Sequence, residues 1–463
     1  MHQLARRLRK ERAFAEVRVG FWKEDPHLHS AMDLIESHDV FVVPCLTSTG
    51  YFTESVIPRE LGLTGRTTRR AGRTIRYCRP VGAHPAMEGF VLERAREVAP
   101  LDPADEARAT LVVVGHGTEK HPGSGGTTRS LVERLQGRGR YRRVIAAFLD
   151  EEPRVEGLLD AFDDSYLILV PFFMSDGWHV GTTLPRALAL SGGRTERGST
   201  TIWYAQPVGT HPALTDVVRE LVAEERARPG NATVPPVVEG AGATPADVTN
   251  ARYEFLDWIS QAGVGGRVFL QTAVRLCESS ASGEPRFEVR HLADRDRDPS
   301  ELRKFRDLEE AVELAALSNT GGHRPLKTAP DLVAGWRFAG LGPEGLWEVF
   351  THLYPAAPVH RYLAAQGRLS VTPFEQVAAR QSGIYAGIGR ISAAEVGELV
   401  GVCCAREHCL RTPTWAGVGE DDDGEGPDVD RTPCPEPCSV LLGRAKETLD
   451  LAGRALDATR GRA

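Results

Sequence analysis

The chain has 463 residues, 41% hydrophobic and 26% charged, with 47 Gly and 30 Pro, which at roughly 100–200 residues per domain describes about three globular domains rather than one module, a fibre or a disordered chain. Its 56 basic and 63 acidic residues leave a formal charge of -7, which argues against a broad nucleic-acid or anionic-membrane surface. No run approaches the roughly 18 apolar residues of a membrane span, the longest being 166–174, and no secretory pattern follows the basic amino end, so the expectation is a cytoplasmic protein with neither nucleic acid nor membrane as partner.

In chain order, the first feature is an internal repeat. Residues 14–85 match 141–212 at a constant offset of 127 positions without a gap. Phe21 falls on Phe148, Pro26 on Pro153, Pro44 on Pro171, Gly50 on Gly177, and Pro58-Arg59 on Pro185-Arg186. The last match sets Pro80-Val81-Gly82-Ala83-His84-Pro85 against Pro207-Val208-Gly209-Thr210-His211-Pro212. Apolar strand candidates at 17–21 and 40–43 are mirrored at 144–148 and 167–170, with another at 111–114; such runs suit parallel strands buried on both faces. Helices are expected at 26–37, 85–95, 153–162 and 212–225. The fold class is therefore α/β: two tandem, doubly wound parallel-sheet lobes, 1–100 and 101–228. In such sheets ligands sit beyond the carboxyl ends of strands, which directs attention to the loops after Val43, Val114 and Val170. The first lobe has no counterpart of strand 111–114. Either it lacks that strand or the native gene starts upstream of Met1, and the sequence leaves both open.

The Pro-, Gly-, Ala- and Val-rich stretch 229–248 reads as a linker. A small α+β domain is expected over 249–340: a helix-like start, a strand pair at 267–276 and 286–292 joined by the polar turn 278–285, and a helix at 301–317. Short helices at 343–352, 359–365, 373–381 and 393–400 then lead into a mainly helical, cysteine-rich metal domain, 341–463. Its acidic run 420–425 reads as a solvated loop.

His116, in Gly115-His116-Gly117, follows its strand directly, and the glycines let the backbone turn sharply around the imidazole. His179 comes just after the neighbouring strand. Either histidine alone reads most simply as a hydrogen-bonded turn residue. Two imidazoles at adjacent strand ends can hold one divalent transition cation: cobalt, nickel, iron or zinc. The first lobe has Phe52 where the second has His179, with Glu54 two residues on, so only one lobe carries the pair. His84 and His211, each before a helix opening on proline, read as structural.

Val114-Gly115-His116-Gly117-Thr118, Pro171-Phe172-Phe173 with Gly177-X-His179, and Pro207-Val208-Gly209-X-His211-Pro212 together resemble the class II tetrapyrrole chelatases of the CbiX kind, the sirohydrochlorin cobalto- or ferrochelatases. The resemblance covers about residues 1–228. It implies a lyase that inserts Co2+, or Fe2+ or Ni2+, into sirohydrochlorin or a related tetrapyrrole for cobalamin or siroheme biosynthesis, with His116 and His179 as the metal-handling, catalytic pair. Metal insertion also needs a base for the pyrrole N–H protons, and an imidazole near its usual pKa of ~6.5 serves; His116 is the favoured acceptor. Glu54 and Glu119 are candidate auxiliary groups. An octacarboxylate macrocycle calls for cations, and Arg59, Arg129 and Arg186 lie near the right loops.

Cysteine usage points to a second metal. Cys403, Cys404, Cys409, Cys434 and Cys438 crowd into the carboxyl-terminal region, and in a reducing compartment they read as ligands rather than a disulfide framework. Tetrahedral zinc and an iron-sulfur cluster both accept four thiolates. Spacers of four and three residues favour [4Fe-4S] over zinc, and some long chelatase relatives carry a carboxyl-terminal iron-sulfur domain. With five cysteines for four places, Cys403 and Cys404 compete for one of them, and Cys404 is preferred. Cys45, Cys78 and Cys277 read as small core residues. Two other functions compete: a non-catalytic metal or tetrapyrrole carrier or sensor, and an iron-sulfur oxidoreductase. Against the latter, no Gly-X-Gly-X-X-Gly turn follows any of the expected strands, no phosphate loop is present, and 123–126 is only a flexible loop. A homo-oligomer is compatible with the sequence.

Overall fold

Leu111, Val112, Val113 and Val114 alternate across a strand that water reaches on neither face. Every residue of Ala109–Gly115 is buried, and the side chains part with the period of two of a pleated strand. Ala109, Leu111 and Val113 join one apolar cluster, Val112 and Val114 another. Burial on both faces is why the stretch is continuously aliphatic.

The computed structural model describes residues 1–22, 26–118, 125–162, 164–228, 237–238, 242–277, 283–305, 314, 332–381, 385–404, 409, 411–416 and 432–460. The chain divides into two units, one of residues 1–17 and 38–238, the other of 18–37 and 239–463. The first holds α1 (His2–Lys10), β1 (Asp39–Val42), β2 (Thr67–Arg70), β3 (Arg73–Tyr77), α2 (Met87–Val98), β4 (Ala109–Gly115), α3 (Gly126–Gly137), β5 (Arg143–Phe148), β6 (Tyr166–Pro171), β7 (Arg194–Arg197), β8 (Thr200–Tyr204), α4 (Leu214–Ala227) and β9 (Val237–Val238). The second-lobe sheet runs β5-β4-β6-β8-β7, parallel except for the β7–β8 hairpin. The first-lobe sheet runs β1-β3-β2-β9. At the repeat offset β1, β2 and β3 fall on β6, β7 and β8, and α1 and α2 fall within α3 and α4.

Residues 17–21, expected as a strand, are not one: Phe21 makes a single bridge to His27. Their counterpart β5 pairs only with β4, and among the described residues the first-lobe sheet has no equivalent of β4, so 17–21 lack a ladder to join. The helices expected at 26–37 and 153–162 shrink to Leu28–Met32 and a single turn, Leu158–Ala161. Gly157 adopts a left-handed conformation (φ 76°) just before that turn and prevents a helix running through from Pro153.

The repeated Val-Gly-X-His-Pro element has two physical reasons. A Cβ on Gly82 would sit 2.1 Å from the Thr47 carbonyl oxygen, and one on Gly209 2.2 Å from Met174 Cα, so only glycine permits the approach. His84 and His211 are buried and each imidazole reaches across to the other lobe. His84 Nε2 lies 3.2 Å from Glu220 and His211 Nε2 2.7 Å from Glu93. Glu93 and Glu220 are themselves repeat equivalents, so the lobes exchange the same contact, the pattern of an isologous interface. Each Nδ1 accepts the backbone N–H two residues on, at 3.3 Å. Apolar side chains of both lobes, among them Val81, Met87, Val91, Val208, Leu214 and Val217, merge in one cluster with the β4 residues Leu111 and Val113.

The second unit holds α5 (Pro245–Ser260), β10 (Arg267–Phe269), β11 (Thr272–Leu276), β12 (Phe287–His291), β13 (Arg303–Phe305), β14 (Trp336–Leu341), α6 (Pro343–Leu353), α7 (Ala357–Ala365), α8 (Phe374–Ala379), α9 (Ala393–Cys403), β15 (Arg411–Pro413), β16 (Thr432–Cys434) and α10 (Ser439–Arg460). Thr244 and Asp247 form a capping box that starts α5 at Pro245, inside the expected linker 229–248; 237–238 of that stretch is strand β9. The expected strand 267–276 is a hairpin, β10–β11, turning at Leu270 (φ 51°). Residues expected to open a helix at 301 instead form β13, parallel to β14; the rest of that span, apart from Leu314, and the acidic run 420–425 lie outside the described residues. Phe255, Phe269, Trp336 and Phe338 of the sheet domain share a core with Trp347 and Phe350 of α6 and Val359 of α7. α6 and α7, expected to open the next domain, therefore pack with the sheet. A separate cluster unites Phe374, Ile388, Trp415 and Leu441. No helix among the described residues is long and apolar enough to cross a membrane.

Candidate active site and cysteine centre

β4 and β6 are hydrogen-bonded neighbours, and the carboxyl end of each delivers one imidazole. After β4, Gly117 turns left-handed (φ 69°), where a Cβ would meet Glu151 at 2.6 Å and Phe148 at 2.9 Å. After β6 the chain enters a π-helical turn, His179–Thr183. The rings of His116 and His179 stand edge to face, centroids 5.1 Å apart and planes at 87°. Phe173 lies 6.4 Å and 6.3 Å from them. The two sequence candidates are thus brought together, at an accessible edge: the His116 side chain is 46% exposed.

The electrostatics set their protonation. His116 Nδ1 is 2.9 Å from the Gly117 carbonyl oxygen. That oxygen can only accept, so Nδ1 carries the hydrogen and Nε2 the lone pair. Asp150 Oδ2 lies 3.6 Å from the same Nδ1, and the Asp150 backbone N–H donates to the His116 carbonyl at 2.9 Å. Burial holds the pKa of His179 below its ordinary value; the neighbouring His116 adds to this and Asp150 opposes it. His179 is therefore neutral at neutral pH, with a lone pair to offer. Among the described residues no third His, Cys, Asp or Glu joins the two within ligand distance. Two imidazoles on one cation would leave its other coordination positions open.

Of the other candidates, Arg129 forms a close ion pair with Glu151 and stacks 4.6 Å from the Phe148 ring centroid. Glu151 in turn accepts the Thr118 backbone N–H at 3.1 Å, so Arg129 braces the His116 loop. Arg59 is 3.3 Å from buried Glu60. Arg186 is exposed, with no side-chain partner among the described residues. Glu54 is exposed in the first-lobe turn, and Glu119 lies outside the described residues. Sequence reasoning missed Asp150, although an acidic residue just past the end of β5 was a usable signal. It also missed Tyr204, whose hydroxyl donates to the Val180 carbonyl at 2.8 Å and pins the His179 turn, and Trp178, 74% exposed beside His179. A cavity of about 570 Å³ lies at the opposite end of the sheet, lined by Tyr166 and Thr201 near the starts of β6 and β8.

The five carboxyl-terminal cysteines form the second centre. Cys434 lies in β16 and Cys403 and Cys404 at the end of α9. Burial pushes the Cys404 thiol well up; the nearby thiols of Cys438, Cys409, Cys434 and Cys403 push in the same direction. Burial pushes Cys434 up to about 12. Cys403 has a different setting: burial raises its pKa, and its charged neighbours are Arg444, Glu447 and Cys409. Cys404 thus sits among the other thiols and Cys403 to one side. A cluster of half-buried thiols whose pKa values are pushed up becomes a cluster of thiolates most readily when a cation neutralises it, so the donor set fits a metal centre. Thiolates on one tetrahedral zinc are about 3.8 Å apart; among the described residues no three cysteine sulfurs lie within 4.8 Å of one another, which suits the larger cluster. Cys78 is buried, and burial pushes it up to about 12 and Cys45 up to about 11.

Comparison with known proteins agrees with this division. The CbiX family profile matches residues 1–98 and 110–225. A DR2241 stabilising domain matches 249–365 and a 4Fe-4S iron-sulfur cluster binding domain 366–447. A probable sirohydrochlorin cobaltochelatase of Halobacterium salinarum is 36% identical over 266 residues, covering 52% of this chain and 91% of the relative. The crystal structure of DR2241 from Deinococcus radiodurans superimposes with a TM-score of 0.76 at 28% identity, covering 97% of this chain and 94% of that one. DR2241 is described as a multi-domain protein with structural similarity to chelatases and two additional novel domains.

Proposed function

This chain belongs to the CbiX family, and from that premise we propose that it is a chelatase, a lyase inserting Co2+, with Fe2+ or Ni2+ as alternative cations, into sirohydrochlorin or a closely related tetrapyrrole. The observation that carries the reading is the convergence of two imidazoles, at least one with its lone pair fixed on Nε2, at the carboxyl edge of a parallel sheet.

The residues divide the work. His116 and His179 together capture the cation and leave its remaining positions for water and then for pyrrole nitrogens. As two metal–pyrrole bonds form, two N–H protons leave the macrocycle, and each imidazole that gives up the metal regains a lone pair able to accept one. His116 is the favoured acceptor: the Asp150 carboxylate stands 3.6 Å from its Nδ1, whereas burial holds the pKa of His179 below its ordinary value. Gly117 and Asp150 fix the orientation of the His116 ring, the usual task of a ligand's outer partners. Cys404, Cys409, Cys434 and Cys438 would hold the [4Fe-4S] cluster, which supplies one-electron chemistry when bound; no insertion step uses it.

The test is anaerobic conversion of sirohydrochlorin and Co2+ by the purified protein, followed by absorption. His116→Ala is expected to lower the rate at least ~100-fold, the lower end for loss of a proton-transfer group, with the circular dichroism spectrum unchanged. Tetrapyrrole binding without turnover in the unaltered protein would overturn the enzymatic reading in favour of a carrier.

A further inference from the structure

We propose that His27, His29 and Glu436 form a second metal site, for a divalent first-row transition cation, that shares no residue with the His116–His179 pair. The inference does not rest on the chelatase reading. One ligand atom from each of the three lies within 4.8 Å of the others. His27 Nδ1 is 3.4 Å from Glu436 Oε1, with side chains 23% and 25% exposed. The His27 and His29 rings stack, centroids 5.2 Å apart and planes at 19°. Metal–ligand bonds of ~2.0–2.2 Å put the ligands of one tetrahedral ion about 3.3–3.6 Å apart. The His27–Glu436 spacing already meets that, and small side-chain rotations bring in His29.

Two imidazole nitrogens with one carboxylate oxygen is a donor set for zinc, cobalt or ferrous iron, with open positions for water. The set is not a relic of the repeat. Arg154 and Glu156 occupy the equivalent positions in the second lobe, although the backbone there makes the same bridge, Phe148 to Arg154 as Phe21 to His27. The fold therefore requires no histidine at either place. Glu436 is also held in position. Pro435 and Pro437 restrict its backbone, and Thr372 N–H donates to the Pro435 carbonyl at 2.8 Å. The carboxylate is thus presented from the loop between two cysteines of the cluster centre, so the metal site and that centre share a backbone.

The experiment uses the full-length, cluster-loaded protein carrying His116→Ala and His179→Ala, equilibrated anaerobically with Co2+ alone and passed over a desalting column. About one equivalent of cobalt is expected to remain bound, with ligand-field absorption. Adding Glu436→Gln, which is nearly isosteric, or His29→Gln should each weaken retention at least ~10-fold while iron content stays unchanged. Absence of retained cobalt in the double variant, or retention indifferent to Glu436→Gln, overturns the site.

Discussion

The turns Phe52–Val56 and His179–Thr183 are one structure built twice. Both are π-helical, both continue into a short helix with proline at its second position, and both are tied by a tyrosine hydroxyl to a backbone carbonyl at 2.8 Å, Tyr77 to Thr53 and Tyr204 to Val180. Yet one begins with phenylalanine and the other with histidine. The turn is maintained by backbone contacts that do not depend on its chemistry; the proposed chemistry depends on one side chain and on whether a second imidazole stands at the next strand end.

The largest expected effect tests that division. His179→Phe, which gives the second lobe the residue of the first, should lower cobalt insertion at least ~100-fold in the anaerobic assay. Phe52→His should add no activity, because among the described residues the first lobe has no strand equivalent to β4 to bring a partner imidazole. Activity arising from Phe52→His would break the comparison. Next in size come Gly82→Ala and Gly209→Ala. Each Cβ would overlap backbone, at 2.1 Å and 2.2 Å, and each should cost about 3 kcal/mol in denaturant unfolding, the upper part of the range for overpacking. Similar costs in both lobes would show that the element serves architecture and not catalysis.

Smaller still are Tyr77→Phe and Tyr204→Phe. Each removes one hydrogen bond worth about 1 kcal/mol, so the stability losses should match. Only Tyr204→Phe should also raise the KM for Co2+, because only that tyrosine fixes a turn carrying one of the two histidines proposed to handle the metal. An equal effect of both on KM would mean the first-lobe turn contributes to the cleft directly.

The same contrast explains what the sequence could reveal. The gapless register exposed the duplicated elements because each Gly and Pro answers a local backbone demand that recurs at the same place. His116 and His179 were legible for a similar reason: the strand before each is continuously apolar, so the strand end is marked. The failures are non-local. Residues 17–21 carry the composition of β5, but a strand needs a neighbour and composition does not report one. Arg303–Phe305 is a strand only because β14, some thirty residues on, lies beside it. Helices α6 and α7 looked like the start of a new domain, and only the shared burial of Trp347 and Phe350 with Phe269 assigns them to the sheet. Asp150 was hidden because its role comes from standing beside His116, which is a matter of strand order.

The smallest effect concerns the contact the lobes exchange. Burial, aided by the charge of Arg79, holds the pKa of His84 below its ordinary value, against the opposing pull of Glu220 and Glu224. Below about pH 6.5, the usual value, the unfolded chain therefore takes up a proton that the folded protein resists, and stability must fall as the pH falls through that window, levelling off once the folded pKa is passed. The depressed pKa of His179 acts in the same direction, but that side chain is exposed and its share is correspondingly small. The urea midpoint should thus drop between about pH 7.5 and about pH 5.5, and His84→Gln should shrink the drop while leaving the His179 share. If the variant keeps the full drop, the His84 imidazole takes up its proton as readily in the folded protein as in the unfolded chain, and the exchanged contact between the lobes contributes nothing to the pH dependence.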